Sequence, residues 1–378
     1  MRAAVAISRH LDAVRACVDA TEQAMRLSGQ EGAPDLLWCA SVAHSVEDTE
    51  RGISMAQKRS GAREAVGNTC GGVLLAPSGQ SVERDPCVAA LLLYGDKGLQ
   101  AWSGKARRPA GWTNRPMMVM VDPDGSPQQR LRMLQEAWDP RRVAGGAAAG
   151  VETDAAVIHH GVGAVEHVAV SPDAPVVEVA LAQGVAPVGE SMLVTRVEGN
   201  LVLELDGRPA LGRALDQLSA TERQEPGRAL GQCMVGLQPA GADLADAVKR
   251  GAFAVRPLVG MAPDVGALAI GEAARAGDHV MLVKRDGPAA ERAMAQALGA
   301  LKSRLAGAAP VAGVYFTCVG RGAGLFGRAG AEAAILSRTM GKVPILGMQS
   351  SFEIGPLLDG PPSVHMFSGV LFIIAEGN

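Results

Sequence analysis

The chain contains few aromatic residues and no long run of one charge. Phe, Trp and Tyr make up 3% of its 378 residues, whereas apolar residues make up 48%. A core with so few rings must be built from Ala, Val and Leu, which pack closely in layers of strands and helices. The net charge is −3, and lysines and arginines adjoin one another only in short pairs, so nucleic acid is not an expected partner.

Membrane-spanning segments and metal-binding motifs are also missing from the sequence. No apolar stretch approaches the ~20 residues that a transmembrane helix needs. Arg2, Arg9 and Arg15 interrupt the N-terminal region, where a signal peptide would need an apolar segment. The six cysteines form no C-x-x-C pair and no cluster with histidines, which argues against a structural zinc site. These absences predict a cytoplasmic protein with free thiols and no membrane insertion.

The two ends of the chain are similar to each other. Each contains a buried strand, a helix, a second strand with a glycine turn, and a third strand. The spacing agrees to within one residue, from Cys39 to Gly67 near the N-terminus and from Cys318 to Gly347 near the C-terminus. Strand–helix–strand order of this length is typical of a parallel pair with a right-handed crossover. We therefore predict an α/β fold of two related mixed α/β halves, produced by internal duplication and packed together.

The length of the chain also predicts two domains, because it exceeds what one hydrophobic core usually serves. The halves are predicted to divide near Gly184, which gives an N-terminal domain of residues 1–184 and a C-terminal domain of residues 185–378. A long amphipathic helix is predicted over 288–305, where apolar residues recur on one face and a proline lies in the first turn.

Residues 322–327, Gly-Ala-Gly-Leu-Phe-Gly, form a literal G-x-G-x-x-G sequence between a predicted strand and a predicted helix. In dinucleotide-binding proteins such glycines let backbone N–H groups approach a pyrophosphate. The acidic residue expected about 20 positions later is absent, because 333–352 contains no Asp or Glu. A turn of Gly320, Arg321 and Gly322 that binds an anion or a polar ligand is therefore favoured over a nucleotide site, and a tight turn without a ligand is the other alternative.

Cysteines and histidines offer weaker possibilities for chemistry. Cys39, Cys70 and Cys318 fall at predicted strand ends, where backbone N–H groups can stabilise a thiolate, although most free cysteines are inert core residues. His365 precedes the last predicted strand and is expected near Glu353. That pair could orient a ligand, shuttle a proton or connect two loops. The sequence contains no G-x-S-x-G motif, and no catalytic residue is assigned.

Several blocks in the C-terminal half occur in the order typical of one family. They lie at 187–210, 253–260 and 266–271, and continue with Cys-Val-Gly-Arg-Gly at 318–322 and Glu-Ile-Gly-Pro at 353–356. Through these blocks the chain resembles the FIST proteins, whose N-terminal and C-terminal domains would together cover nearly its whole length.

The N-terminal half is similar to the same family through the glycine turn of 67–73 and the pair Gly145-Gly146. The resemblance implies a sensory module that binds a small molecule, such as an amino acid or another small anion, and signals through a separate partner such as a histidine kinase.

The expected pocket lies where equivalent strand ends of the two halves meet. In this hypothesis Arg321 binds a carboxylate or phosphate, Glu353 binds an amine, and glycine N–H groups bind the remaining acceptors. The predicted ligand-binding residues are Thr69, Cys70, Gly71, Cys318, Gly320, Arg321, Gly322, Gln349, Glu353 and His365.

Two alternatives remain open. Some bacterial members of the family are haem-binding nitric-oxide sensors, so the resemblance also implies haem as a cofactor. The candidate axial ligands are His44, His159, His160, His365 or a cysteine. The other alternative is a cysteine-dependent enzyme that uses Cys318 or Cys70 with His365. Because no spacing of base and nucleophile in the sequence is diagnostic, an enzyme is the least favoured of the three hypotheses.

Overall fold

The chain forms two compact units. The computed structural model describes residues 1–103, 115–124, 142–238, 253–357 and 362–377. The first unit consists of Met1–Ala182, Met294–Val364 and Ser368–Asn378, and the second consists of Gln183–Ala293 and His365–Phe367. Strands are more numerous than helices in the described residues, and their mixture confirms the predicted α/β class.

The N-terminal part begins with alternating strands and helices and continues as strands. Its elements are β1 (Arg2–Ser8), α1 (Ala13–Ser28), β2 (Leu36–Val42), α2 (Val46–Ser60), β3 (Glu64–Thr69), β4 (Gly72–Ala76), β5 (Ser81–Glu83), β6 (Cys87–Tyr94), β7 (Gln100–Ser103), β8 (Met117–Val121), β9 (Val143–Ala147), β10 (Val157–His159), β11 (Gly163–Val165), β12 (His167–Ser171) and β13 (Val176–Gln183).

The middle part is mostly strand. Its elements are β14 (Val185–Glu198), β15 (Leu201–Leu205), β16 (Arg208–Pro209), α3 (Ala210–Leu215), a 3₁₀ turn (Glu222–Gln224), α4 (Pro226–Gly231), β17 (Met234–Gln238), β18 (Ala254–Ala262), β19 (Ala267–Ile270) and β20 (His279–Arg285).

The C-terminal part returns to alternating helices and strands. Its elements are α5 (Gly287–Arg304), β21 (Ala309–Cys318), α6 (Gly322–Phe326), α7 (Ala331–Met340), β22 (Ile345–Ser350), β23 (Glu353–Pro356), β24 (Pro362–His365) and β25 (Ser368–Glu376).

Local sequence explains where the first two helices begin and end. The side chain of Asp12 accepts a hydrogen bond from the backbone N–H of Arg15 at 2.8 Å, and Ser45 accepts one from Asp48 at 3.1 Å. Such side chains satisfy N–H groups that have no partner inside the helix. α1 and α2 end at Gly29 and Gly61, both in the left-handed conformation that glycine adopts without steric cost.

Three six-stranded sheets build the first unit. Sheet A has the order β1-β6-β2-β3-β10-β11, sheet B the order β13-β25-β21-β22-β4-β5, and sheet C the order β24-β23-β9-β8-β12-β7. Sheets A and B pack face to face through a shared apolar core, in which the rings of Trp38 and Phe316 lie 6.2 Å apart. The other face of sheet A packs against helices α1 and α2 through buried residues such as Cys17 and Ile53.

The predicted repeat is present as a pattern of strand pairing. β2 pairs parallel with β3 and antiparallel with β6, whereas β21 pairs parallel with β22 and antiparallel with β25. In register, Cys39 lies opposite Gly67, but the residue opposite Gly347 is Tyr315. The counterpart of Cys39 is therefore Tyr315 rather than Cys318, because the second strand pair is offset differently along the chain. Both copies of the repeat lie in the first unit.

The second unit is a closed antiparallel barrel. Its pairing order is β14-β20-β17-β18-β19-β15, and β15 pairs again with β14, so the sheet has no free edge along this cycle. Residues of the strands and of the short helices α3 and α4, including Val194, Val235, Ala214 and Leu230, fill one apolar core. The predicted division of the chain into domains of residues 1–184 and 185–378 stays a prediction.

None of the described helices combines the length and apolarity of a membrane-spanning helix.

Candidate functional site

The ends of several strands in the first unit converge at one place. The backbone N–H of Gly71, just after β3, donates a hydrogen bond to the carbonyl oxygen of Gln349 in β22 at 3.0 Å. The N–H of Val319, just after β21, donates to the carbonyl of Ser350 at 2.9 Å. The first bond joins the ends of the two copies of the repeat, which the sequence predicted to face each other, and the second joins β21 and β22 within the C-terminal copy.

A cleft with a volume of ≈ 260 Å³ opens at this convergence. Ala149, Val151 and Val319 form its apolar wall, and Gly71 and Gly150 line it without a side chain. A Cβ atom added to Gly71 would lie 2.7 Å from Cγ1 of Val319. Glycine at this position therefore keeps open a space that any larger residue would occupy.

Gln349 is the most deeply buried polar residue that lines the cleft, with 7% of its surface exposed. Its side-chain amide makes no hydrogen bond within the described parts of the chain, and it is not among the polar atoms that are sealed from solvent without a partner. Its Oε1 atom lies over the glycine turn, 3.5 Å from the position of a Cβ atom on Gly71. The amide atoms reach the open space of the cleft, where they can exchange hydrogen bonds with water or with a ligand.

The rim of the cleft has backbone strain at two positions. Arg84 lines the cleft with φ at 64°, and Glu152 directly follows the cleft residue Val151 with φ at 57°. Left-handed conformations are costly for residues with a Cβ atom, and they cluster at binding and catalytic sites. The exposed guanidinium of Arg84 supplies a positive charge at the mouth of the cleft.

Glu83 connects the cleft to a smaller cavity of ≈ 20 Å³, because it lines both. Its two carboxylate oxygens accept hydrogen bonds from the backbone N–H of Ala323 at 3.0 and 3.1 Å. A Cβ atom on Gly322 would collide with this carboxylate. The G-x-G-x-x-G sequence therefore forms a short helix whose N-terminus binds Glu83, and its first glycine is needed for that contact.

The polar side chains around Arg321 form a buried cluster, which we call the Arg321 network. Nε of Arg321 donates a hydrogen bond to Oε1 of Glu332 at 2.9 Å, and Nη2 lies 2.9 Å from the same oxygen in an ion pair. The hydroxyl of Tyr315 donates to the same oxygen at 2.7 Å, and that of Thr317 donates to Oε2 at 3.0 Å. Arg321 has no exposed surface, and its guanidinium lies 5.6 Å from the centre of the Phe326 ring.

Charge pairing stabilises the ionised form of Arg321 in this network. Burial by itself would lower the pKa of the guanidinium, but the carboxylate of Glu332 raises that pKa above its usual range. Arg321 therefore reaches neither cavity in this structure, and its predicted role in binding a ligand carboxylate stays a prediction.

Glu353 is also completely buried. Its Oε2 atom accepts hydrogen bonds from the backbone N–H of Ser368 at 3.2 Å and from the Ser368 hydroxyl at 2.8 Å. Burial raises the pKa of Glu353 well above its ordinary value, although these hydrogen bonds oppose the change. Burial therefore favours the protonated carboxyl group, and the binding of an amine by Glu353 stays a prediction.

Some of the other predicted site residues line a cavity, and the rest pack nearby. Gly71 and Gln349 line the cleft and Gly322 lines the smaller cavity, whereas Gly320 is partly exposed at the turn after β21. Thr69 is buried and accepts a hydrogen bond from the N–H of Ala156 at 2.9 Å.

The two cysteines of the predicted site are buried and line neither cavity. Burial raises the pKa of the Cys70 thiol well above its ordinary value, which disfavours a reactive thiolate. Cys318 has 4% of its surface exposed. His365 is fully buried and belongs to the second unit.

The histidines proposed as haem ligands are engaged or lie away from both cavities. Nδ1 of His44 contacts the Ser41 hydroxyl at 3.1 Å, and Nδ1 of His159 contacts the Ser103 hydroxyl at 2.6 Å. Burial lowers the pKa of His44. His160 is partly exposed beside the strand end.

A haem group does not fit the two cavities. Neither is lined by a histidine or a cysteine, and the larger falls below the ~300–1,000 Å³ of usual ligand pockets. Across the described ranges, no group of three or more His, Cys, Asp and Glu residues is arranged to hold a metal ion.

Seven residues that line the cleft were absent from the predicted ligand-binding residues: Glu83, Arg84, Ala149, Gly150, Val151, Val319 and Ser351. Glu83 and Arg84 lie at the end of β5, far in sequence from the glycine turns that drew attention. The positive φ of Arg84 has no sequence signal, since residues other than glycine rarely adopt it. Val319 lies beside the predicted Cys-Val-Gly-Arg-Gly turn and could have been included with it.

Comparison with known proteins gives the chain its family. The sequence matches the FIST N domain over residues 35–208 and the FIST C domain over residues 210–356. An uncharacterized protein of Mycobacterium tuberculosis is 32% identical over 197 residues, which cover 52% of this chain and 50% of the relative. An uncharacterized protein of Mycobacterium bovis is 30% identical over 196 residues, with the same coverage of 52% and 50%.

The chain thus spans about half the length of these curated relatives, 50% in each case. The two family domains, in contrast, follow one another along most of the chain and include the strands that form the cleft. The chain therefore belongs to the FIST family and contains both a FIST N and a FIST C domain.

Proposed function

We propose that this protein is a small-molecule sensor whose ligand binds in the cleft between the strand ends of the repeat. FIST domains are associated with sensing in signal transduction. The observation that carries the proposal is the side chain of Gln349, a residue with 7% of its surface exposed, which lines the cleft and makes no hydrogen bond to the described residues.

Cleft size and charge limit the ligand class. A volume of ≈ 260 Å³ suits a metabolite with few heavy atoms rather than a nucleotide or a haem. The guanidinium of Arg84 at the mouth favours an anionic group, which fits an amino acid or another small organic anion. Apolar contact with Val151 and Val319 adds affinity through burial of the ligand's carbon atoms.

Output is proposed to pass through a separate protein, such as a histidine kinase. A ligand can shift only an equilibrium between states that it binds with different affinity. We propose the contact of Glu83 with the N-terminus of α6 as the element that the ligand shifts, because Glu83 lines the cleft and also binds the turn that follows β21. The six cysteines are all free, which suits the reducing cytoplasm.

The test is a thermal-shift screen of amino acids and small organic anions against two glycine variants. Gly71→Val places methyl groups in the cleft, whereas a Cβ on Gly299 meets no atom within 4 Å, so Gly299→Val is the matched control. A ligand at 100 times its Kd stabilises the folded state by about 2.7 kcal/mol. We expect at least one compound to raise the melting temperature of the wild type and of Gly299→Val but not of Gly71→Val. A screen without any such compound, or an equal shift in Gly71→Val, contradicts the proposal.

A further inference from the structure

We infer that the ligand carries a neutral carboxamide-type edge, which binds Gln349, and an anionic group, which binds Arg84. This inference rests on the proposed function and names the ligand class of the same cleft. It departs from the sequence-based expectation, in which Arg321 and Glu353 bind a carboxylate and an amine, because neither of those residues lines the cleft.

The first step concerns the charge around Gln349. Gln349 is uncharged and 7% exposed, and its Oε1 atom lies over the glycine turn of Gly71 and Gly72. A charged ligand group at such a place would lose its hydration without gaining a counter-charge. The nearest carboxylate that lines the cleft, Glu83, already accepts two hydrogen bonds from Ala323. The surroundings of Gln349 therefore favour a neutral polar group.

The second step concerns the pattern of donors and acceptors. The side chain of Gln349 presents an acceptor, Oε1, beside two N–H donors on Nε2. A ligand carboxamide presents the same pair in the reverse order and satisfies both atoms with two parallel hydrogen bonds. A carboxylate only accepts, so it would place a negative oxygen opposite Oε1 and leave that acceptor unpaired.

The third step concerns the mouth. Arg84 is the cation among the described residues that line the cleft, and its backbone N–H donates to the carbonyl of Gly71 at 3.1 Å. That bond links Arg84, whose φ is positive, directly to Gly71, which also lines the cleft. A cation held at the entrance, with a neutral group inside, selects a molecule that is anionic at one end and amidic at the other.

Succinamate, succinate and succinamide test this class, because they share a four-carbon skeleton and differ only in their end groups. Affinities are measured by isothermal titration calorimetry on the full chain. We expect the wild type to bind succinamate at least tenfold more tightly than succinate and than succinamide. Gln349→Met should abolish the preference over succinate, and Arg84→Gln should abolish the preference over succinamide.

Control variants separate recognition from folding. Gln238 is fully buried in the barrel and lines neither cavity, so Gln238→Met makes the same chemical change elsewhere. Arg196→Gln removes an exposed arginine that pairs with Glu204. Both controls should keep the wild-type order of affinities. Gln349→Asn retains an amide and should keep that order with weaker binding, which makes the test independent of whether Gln349→Met folds.

The outcomes distinguish this inference from the proposed function. If the wild type binds succinate as tightly as succinamate, or Gln349→Met keeps the amide preference, the ligand class is wrong. If the ligand class is wrong but another compound stabilises the wild type and not Gly71→Val, the cleft remains the binding site. If no compound of either set binds, both the ligand class and the proposed function are overturned.

Discussion

The Arg321 network and the cleft are two polar regions of the same unit with opposite degrees of internal pairing. In the network, the carboxylate of Glu332 accepts bonds from Arg321, Tyr315 and Thr317, and every one of these residues is buried. In the cleft, Gln349 is 7% exposed, and its amide faces the open space without a hydrogen bond to the described residues. A paired network stabilises the fold, whereas a polar group that faces a cleft is available to water or to a ligand.

Removing the charge of Arg321 tests the network most severely. Arg321→Met keeps most of the side-chain volume but leaves the carboxylate of Glu332 buried without its cation. We expect the free energy of unfolding to fall by about 3–5 kcal/mol, measured by urea denaturation. Arg228→Met, at an exposed pair with Glu225, should change it by less than about 1 kcal/mol. Equal effects of the two variants would contradict the contrast between the regions.

Two hydroxyl deletions compare a paired group with an unpaired one. Thr317→Val removes a hydrogen bond to the carboxylate of Glu332 and should cost about 1.5–3 kcal/mol. The hydroxyl of Ser350, at the end of β22, is buried without a partner within the described ranges, so Ser350→Ala should be close to neutral. The free energy of unfolding of both variants is measured by chemical denaturation. A larger loss for Ser350→Ala would show that the Ser350 hydroxyl makes a hydrogen bond.

Glu353 makes stability depend on pH. Burial raises its folded-state pKa above the ordinary value of 4.5, so the folded state holds the proton more tightly than the unfolded state. The associated stability is complete below the unfolded pKa and is lost as the pH rises through the folded pKa, with a slope of up to about 1.4 kcal/mol per pH unit.

The measurement for Glu353 is the free energy of unfolding as a function of pH. Glu353→Gln mimics the protonated carboxyl and should flatten the decline of stability above pH 4.5. Glu225→Gln alters an exposed carboxylate and should leave the slope as it is in the wild type. An identical slope in the wild type and in Glu353→Gln would show that Glu353 is ionised in the folded protein.

The smallest expected effect concerns strain at the cleft. Arg84→Gly should raise stability by about 0.5–1 kcal/mol, because glycine adopts the positive φ without steric cost, and it should weaken binding of an anionic ligand. Ala306 has φ at 48° outside the cleft, so Ala306→Gly should raise stability by a similar amount without changing binding. If both variants bind the anionic ligand more weakly, the loss cannot be assigned to the side chain of Arg84.

Helix positions and the repeat were predictable from local patterns. The predicted helix of 288–305 corresponds to α5 at Gly287–Arg304, since amphipathic period and a first-turn proline act within one segment. Gly71 and Gln349 were expected near each other because equivalent strand ends of a repeat face one another, and the bond between their backbones confirms this proximity.

Partners of the charged residues were not predictable. Arg321 was expected to bind a ligand because it follows a strand within a glycine turn. Its cation is instead paired by Glu332, a helix residue that the sequence analysis did not single out. Arg84 had no local signal at all, since its conformation depends on the backbone bond to Gly71.

Composition and local pattern by themselves determined the class of the fold, the α/β repeat and the glycine turns at the strand ends. These properties depend on residues close in sequence, where hydrophobic period and steric freedom act directly. Tertiary structure alone decided which polar groups are paired and which face the cleft. Burial and hydrogen bonding depend on residues brought together from distant segments, such as Gly71 with Gln349, and the free energy of a buried polar group is set by those neighbours.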